Sequence, residues 1–161
     1  MIIRKSRLSD INDLMKIYET ARAFMSANGN PGQWINGYPS REIIERDITE
    51  GHSYAVEDNG EIIATFFFKI GEDKTYLRIY DGAWLNDNEY GVIHRIAIKY
   101  QGRNIASLVY NYCYEIVKNI KIDTHKCNIP MQRSLAKNGF KRCGIIYLES
   151  GDQRVAYQKT E

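Results

Sequence analysis

Apolar residues recur along the chain with two different periods, and the changes of period mark out its elements. Ile2–Lys5 reads as a first strand. Ile11, Leu14, Met15 and Tyr18 step by three and four, which predicts a helix from Asp10, capped by Ser9 or Asp10 and stopped near Asn28-Gly29-Asn30-Pro31. A loop rich in Gly, Pro and aromatics (GQWINGYPS) leads to a second short helix, which Ser40 caps and which runs through Glu42 and Ile43–Ile48 to Gly51. Strands follow at His52–Glu57 and Glu61–Ile70, joined by Asp58-Asn59-Gly60, a hairpin turn in which Asn and Gly accept positive φ. In this reading Thr75–Tyr80 extends the meander, and the strand Tyr90–Ile98 begins after a loop containing Trp84.

Ile105, Leu108, Val109, Tyr112, Cys113, Ile116, Val117 and Ile120 lay one apolar stripe along the next helix. KIDTH at 121–125 is the strand after it, so strand, helix and strand make a crossover unit, expected to be right-handed with its two strands parallel. Ile129–Asn138 is a shorter helix ending at Gly139, and Phe140–Leu148 with Arg154–Gln158 close as a hairpin around Glu149–Gln153. The expectation is a mixed α/β (α+β) fold in one domain spanning residues 1–161, without repeats or linkers.

Composition narrows the class. A chain of 161 residues with 43% hydrophobic and 26% charged content is ordinary for one soluble domain. Its 22 basic and 20 acidic residues, net +2, are spread without blocks of one sign, which gives no argument for a nucleic-acid partner. Apolar runs such as IIATFFF at 62–68 fall far short of the ~20 residues of a membrane span. The start MIIRKSRLSD lacks an apolar export core with a cleavage site, so a cytoplasmic location is expected. Cys113, Cys127 and Cys143 form no Cys-x-x-Cys pair and read as free thiols, with no metal implied.

The segment YQGRNIASLVYNYC, residues 100–113, turns from a buried strand directly into the striped helix. The first turn of such a helix leaves backbone N–H groups without intrahelical partners, and their dipoles favour an anion in front of them. Gly102 lets a ligand approach the backbone, Asn104 tolerates a left-handed conformation, and Ala106 keeps the first turn small. Arg103 can add a phosphate contact from its side chain. The same pattern also suits a plain strand-to-helix connection.

Two motifs taken together resemble the GNAT superfamily of N-acetyltransferases. HRIAIKYQGRNIAS is similar to that family's signature, a buried strand followed by Gln/Arg-x-x-Gly-x-Gly/Ala. Gln101 and Ala106 match it, whereas Asn104 stands where the family usually has Gly. CNIPMQRSLAKNGF resembles the second element, an Asn (Asn128) opening a short helix that ends in Gly-Phe (Gly139-Phe140). The resemblance implies a mostly antiparallel sheet with a central, splayed parallel pair of strands flanked by helices, and acetyl-CoA as co-substrate. It implies that the backbone of Ile96, Ala97 and Ile98 pairs with the pantetheine arm. Gln101, Gly102, Arg103, Asn104, Ile105, Ala106 and Ser107 would cradle the pyrophosphate, with Asn128 near the pantetheine and Lys137 at the nucleotide end.

The resemblance implies acetyl transfer to an amine. A lysine-like amine with a pKa near ~10.4 is deprotonated in only about one molecule in a few thousand at pH 7, so a base is needed. His94 lies at the strand position where some family members carry a glutamate base, and imidazole suits proton removal at neutral pH; it can equally be a histidine packed against Val92 and Ile96. Many family members place a tyrosine acid four residues before the Gly of Gly-Phe, where this chain has Leu135; Tyr147, Cys143 and His125 are the substitutes, of which Tyr147 is carried forward. Asp123 and His125 are two apart on a strand and can form an ion pair beside the acceptor.

The family builds its acceptor wall from the early helices and the middle strands, which implies Trp34, Tyr38, Tyr80 and Trp84, with His125, for a small-molecule or peptide amine. Two other classes stay open: an acyl-CoA sensor without turnover, which Leu135 and Asn104 favour, and an α/β domain whose corner binds another phosphate ligand. The edges of the final hairpin suit a homodimer.

Overall fold

In the computed structural model, which describes residues 1–161, three alternating segments pair antiparallel in the order β1 (Ile2–Lys5), β2 (Ser53–Asp58) and β3 (Glu61–Ile70). The turn between β2 and β3 has left-handed residues at Asn59 and Gly60, as a two-residue hairpin that follows the twist of its strands requires. Helices α1 (Ile11–Ala27) and α2 (Arg41–Thr49) bury their apolar stripes in one cluster, where Leu14, Ile17, Tyr18, Ile44 and Ile48 meet Ala55 and Ile62 of the strands. Ser40 caps α2 by accepting the Ile43 N–H. These elements make the first of two compact units, residues 1–68 with 94–106; the second is residues 69–93 with 107–161.

The start of α1 is built differently from the sequence expectation. Asp10 closes a 3-10 turn at Leu8–Asp10, and its carboxylate turns back to accept the Arg7 N–H at 2.7 Å rather than capping the helix ahead. Arg4 on β1 donates to both Asp10 oxygens, at 2.8 and 3.1 Å, and to Glu57 of β2 at 2.9 Å. One guanidinium thus fastens the first strand to both its neighbours.

Strand β4 (Gly91–Ile98) is shared: Gly91–Ile93 belong to the second unit and His94–Ile98 to the first, where β4 follows β3. In the second unit the order is β4, β5 (Asn119–Thr124), β7 (Gln153–Thr160) and β6 (Lys141–Tyr147). Only β4 and β5 run parallel, through the pairs Gly91 with Ile120 and Val92 with Lys121. Seven strands, mostly antiparallel with one parallel pair, and four helices give the mixed α/β fold expected from the sequence.

Helix α3 (Ile105–Val117) ends earlier than its stripe suggests, because Lys118 takes a left-handed φ of +55° that stops it. Ile120, which fits the helical stripe equally well, is a fully buried residue of β5. Helix α4 (Ile129–Lys137) opens on Asn128, whose side chain accepts the Met131 N–H.

Thr75–Tyr80 is not a strand. Asp73 accepts the N–H and hydroxyl of Thr75 at 2.9 and 2.6 Å, which winds Lys74–Tyr76 into a 3-10 turn and buries Tyr76. Only Tyr80 pairs, exchanging two 2.8 Å hydrogen bonds with Ile145, and Ala83 donates to the Cys143 carbonyl. This approach needs two glycines: a Cβ on Gly82 would overlap the Cys143 carbonyl, and one on Gly144 would strike the Tyr80 carbonyl. The outer edge of β6, which the sequence left open for a second copy, is therefore occupied over Cys143–Ile145. No helix is long and apolar enough to cross a membrane.

The Arg4 hydrogen bonds hold the Asp10 carboxyl below its ordinary value of 3.8. Asp10→Asn should cost about 1–3 kcal/mol of stability at neutral pH by chemical denaturation. A carboxylate lowered in the folded state contributes fully above its unfolded value and loses that contribution as pH falls through its folded value. The wild-type and variant stabilities should therefore converge in acid.

Candidate active site

After β4 the chain makes its corner with two left-handed residues, Gly102 at φ +80° and Asn104 at φ +59°. No atom lies within 4 Å of the point a Gly102 Cβ would occupy, so that face of the corner is open. Gln101, Gly102, Arg103 and Asn104 are exposed, Ile105 is buried as the first residue of α3, and Ala106 and Ser107 are half-buried. The corner's cations are already engaged: Arg103 pairs with Asp58 at 2.5 Å, while Lys99 and the Tyr100 hydroxyl both reach Glu61 at 2.7 Å. What the corner offers an anion is thus chiefly its backbone and the N–H groups of the first turn of α3. Ala97 packs into the core of the first unit, and Ile96 and Ile98 on either side of it are half-buried.

Inside β4, Arg95 has a left-handed φ of +48°, uncommon for a non-glycine residue and costly without support from its surroundings. The support is visible. Arg95 Nε and Nη2 donate to the two oxygens of Asp47 on α2, at 2.8 and 2.9 Å, and Nη1 donates to the Tyr38 hydroxyl at 3.0 Å. The guanidinium lies 4.8 Å from the centroid of the Phe67 ring. Burial raises the Asp47 carboxyl above its ordinary value, against the pull of Arg95. Burial acts to lower Arg95, but Tyr38 and Asp47 outweigh it and hold the guanidinium charged.

His94 is half-buried, with its ring 5.6 Å from that of Phe67; His52 meets Phe67 edge-on at 5.4 Å. Trp34 lies between Tyr18 at 5.8 Å and Tyr38 at 6.2 Å. The first unit therefore brings Trp34 and Tyr38 into one aromatic row, which Arg95 ties to the strand that carries His94.

In the second unit, Tyr80 and Tyr147 are both exposed and meet edge-on at 5.2 Å, and the Tyr147 hydroxyl accepts from Gln153 at 3.2 Å. Trp84 is more committed: its indole N–H donates to the Tyr76 carbonyl at 2.9 Å, and Lys121 places its ammonium 4.3 Å from the indole and 4.0 Å from the Tyr90 ring. Lys121 is 4% exposed, and burial pushes its ammonium down from its ordinary value. His125 accepts the Cys127 N–H on Nδ1 at 3.0 Å, and Asp123 accepts the Tyr76 hydroxyl at 2.6 Å, so these two residues take different partners. Burial, with Arg154 and Lys126, lowers the His125 pKa. Asn128 is buried at the start of α4 and Lys137 exposed at its end, with Leu135 fully buried between them. Burial raises the Cys143 thiol, whose side chain lies in the core away from solvent. No three His, Cys, Asp or Glu side chains gather where a metal could bind.

Sequence reasoning missed Arg95, Asp47 and Phe67. Two signals pointed to them: an arginine inside the apolar run VIHRIAI, and an aspartate three residues after Ile44, on the stripe of α2 that faces the core.

A sequence model of the acetyltransferase (GNAT) family matches residues 14–140. Among solved structures, a GNAT-family acetyltransferase from Streptococcus agalactiae is 34% identical, with a TM-score of 0.90 over 99% of this chain and 95% of that one. A GNAT-family acetyltransferase from Listeria monocytogenes, 16% identical with a TM-score of 0.73 over 98% of this chain and 93% of that one, shares the fold. So does AAC(6')-Ib in complex with ribostamycin and coenzyme A, 18% identical with a TM-score of 0.66 over 99% of this chain and 92% of that one. No curated protein matches the sequence.

Asp47→Ala leaves the Arg95 charge buried and unpaired, and should cost about 3–5 kcal/mol in urea unfolding. Adding Arg95→Met should return most of that loss, because the charge goes with its partner. A double variant no more stable than Asp47→Ala would show that the pair is not the unit that matters.

Proposed function

The chain belongs to the GNAT acetyltransferase family, and from that premise we propose that it moves the acetyl group of acetyl-CoA onto a primary amine of a small molecule or peptide by direct attack. The observation that carries this reading is the corner itself, where Gly102 and Asn104 are both left-handed in front of α3 and the space over Gly102 is open. Such a corner suits a pyrophosphate held by backbone N–H groups, with residues 101–107 as its cradle. The extended backbone at Ile96, Ala97 and Ile98 suits the pantetheine arm. Asn128 and Lys137 join the proposed site on the family resemblance alone.

In the reaction the amine nitrogen bonds to the acetyl carbonyl carbon, the carbon–sulfur bond breaks, and the sulfur leaves with the bonding pair. His94 takes the proton that the amine gives up, directly or through water, and Tyr147 supplies one to the leaving sulfur. Trp34 and Tyr38 of the first unit are proposed to contact the acceptor, and Tyr80, Trp84 and His125 of the second are proposed for it on the family resemblance alone. Trp84 contributes less than its size suggests, since Lys121 already sits against its indole.

Calorimetric titration with acetyl-CoA, paired with thiol release on a range of amines, tests the proposal: binding with release supports it, and absence of binding overturns it. Gly102→Val should weaken coenzyme A binding about tenfold or more, because a branched residue resists φ near +80° and blocks approach to the backbone. His94→Ala should lower kcat by about 10²–10⁴ with little change in acetyl-CoA affinity. A His94→Ala variant that keeps the acidic limb of the wild-type pH–rate profile would remove His94 from the base role.

A further inference from the structure

Tyr38 carries a hydroxyl proton that no group in the protein receives. Its oxygen accepts from Arg95 Nη1 at 3.0 Å, and a guanidinium only donates, so the one phenolic proton must point elsewhere. Arg95 cannot turn away to change this, because its other two nitrogens are bound to Asp47, whose side chain is 3% exposed. The ring is half-buried and held edge-on to Trp34. A phenol whose lone pair is taken by a cation is a stronger hydrogen-bond donor than a free one, and its best partner is an anionic oxygen.

The same loop has a second donor to spare. Arg22 of α1 uses Nη1 for the carbonyls of Tyr38 and Gly37, at 2.9 and 3.5 Å, which leaves Nε and Nη2 without protein partners. It lines a cavity of about 560 Å³ with Trp34 to Gly37, the loop residues that run up to Tyr38 without Tyr38 itself, large enough for an amino acid or a short peptide end. Glu19, one turn earlier on α1 and on the same rim, offsets part of the positive charge. That balance suits a zwitterion better than a polyanion.

We propose that Tyr38 selects amine acceptors that also carry a carboxylate, donating its hydroxyl proton to that carboxylate while Asp47 and Arg95 hold the phenol in place. Arg22 attracts the carboxylate through its field. The inference rests on the reading of the chain as an amine acetyltransferase and names the class of its acceptor.

Matched pairs of amines test it: L-lysine against cadaverine, L-leucine against isoamylamine, and L-phenylalanine against phenethylamine, each followed by thiol release from acetyl-CoA. The wild type should prefer the carboxylate-bearing member, and Tyr38→Phe should raise KM for that member about tenfold at nearly constant kcat, so that the ratio of kcat/KM between the two members of each pair falls toward one. Asp47→Asn should reduce the same preference, a ratio that a general loss of folded protein does not move. Equal use of both members by the wild type overturns the proposal. So does a Tyr38→Phe variant that loses kcat equally on both, since the phenol would then act on the leaving sulfur.

Ligand-observed NMR with the same pairs separates this inference from the reading beneath it. Binding of the amino acids by the wild type, lost in Tyr38→Phe but without thiol release, upholds the site and removes the transferase reading. Turnover of amines with no preference for a carboxylate upholds the transferase and removes this proposal, as does the absence of any binding or release by the carboxylate-bearing members.

Discussion

Two nearly dry charges, Asp47 and Arg95, set the geometry of the first unit. Their bidentate contact joins α2 to β4, and the third arm of the guanidinium fixes the loop ahead of α2 through Tyr38. An ion pair in this position is an expensive way to gain stability, because both groups give up their water. What it does provide is uniqueness. The left-handed turn at Arg95 breaks the alternation of β4, and a purely apolar contact would not specify which way the chain turns. His94 is the next residue along the strand, so whatever chemistry it performs depends on a backbone held by charge.

Much of the fold was legible because local and global preferences agree. β1 and β3 appear at the bounds their patterns predict, Ser40 caps α2, and the Asn59-Gly60 turn and the Asn128 start of α4 follow from single residues. The misreadings come from residues that satisfy two patterns at once. Ile120 fits a helical stripe and a strand, and only the left-handed Lys118 decides between them. Thr75–Tyr80 has the composition of a strand, yet the Asp73 side chain offers its backbone a closer partner.

The candidate site was legible in its motifs and not in its supports. Asn104 could be read from residue type alone as tolerating a left-handed conformation, and it has one, as does Gly102, whose lack of a side chain signalled only that a ligand could approach the backbone. The partners of Trp84, Asp123 and His125 could not, since each arises from a residue distant in sequence or from a turn with no strong signature: Lys121, Tyr76 and the Cys127 backbone. Leu135 shows the other side of this. A family position that often carries a working hydroxyl is here filled with core, so any proton for a leaving group must come from a residue the motif does not mark.

The segment Ile79–Ala83 lies along β6, with Gly82 and Gly144 face to face where backbone meets backbone. Over Cys143–Ile145 that rim is taken by the chain's own loop, so this stretch offers a foreign strand no free pairing edge. A side chain at either glycine would push the loop off that edge and return the stretch to solvent as a surface another strand can pair with.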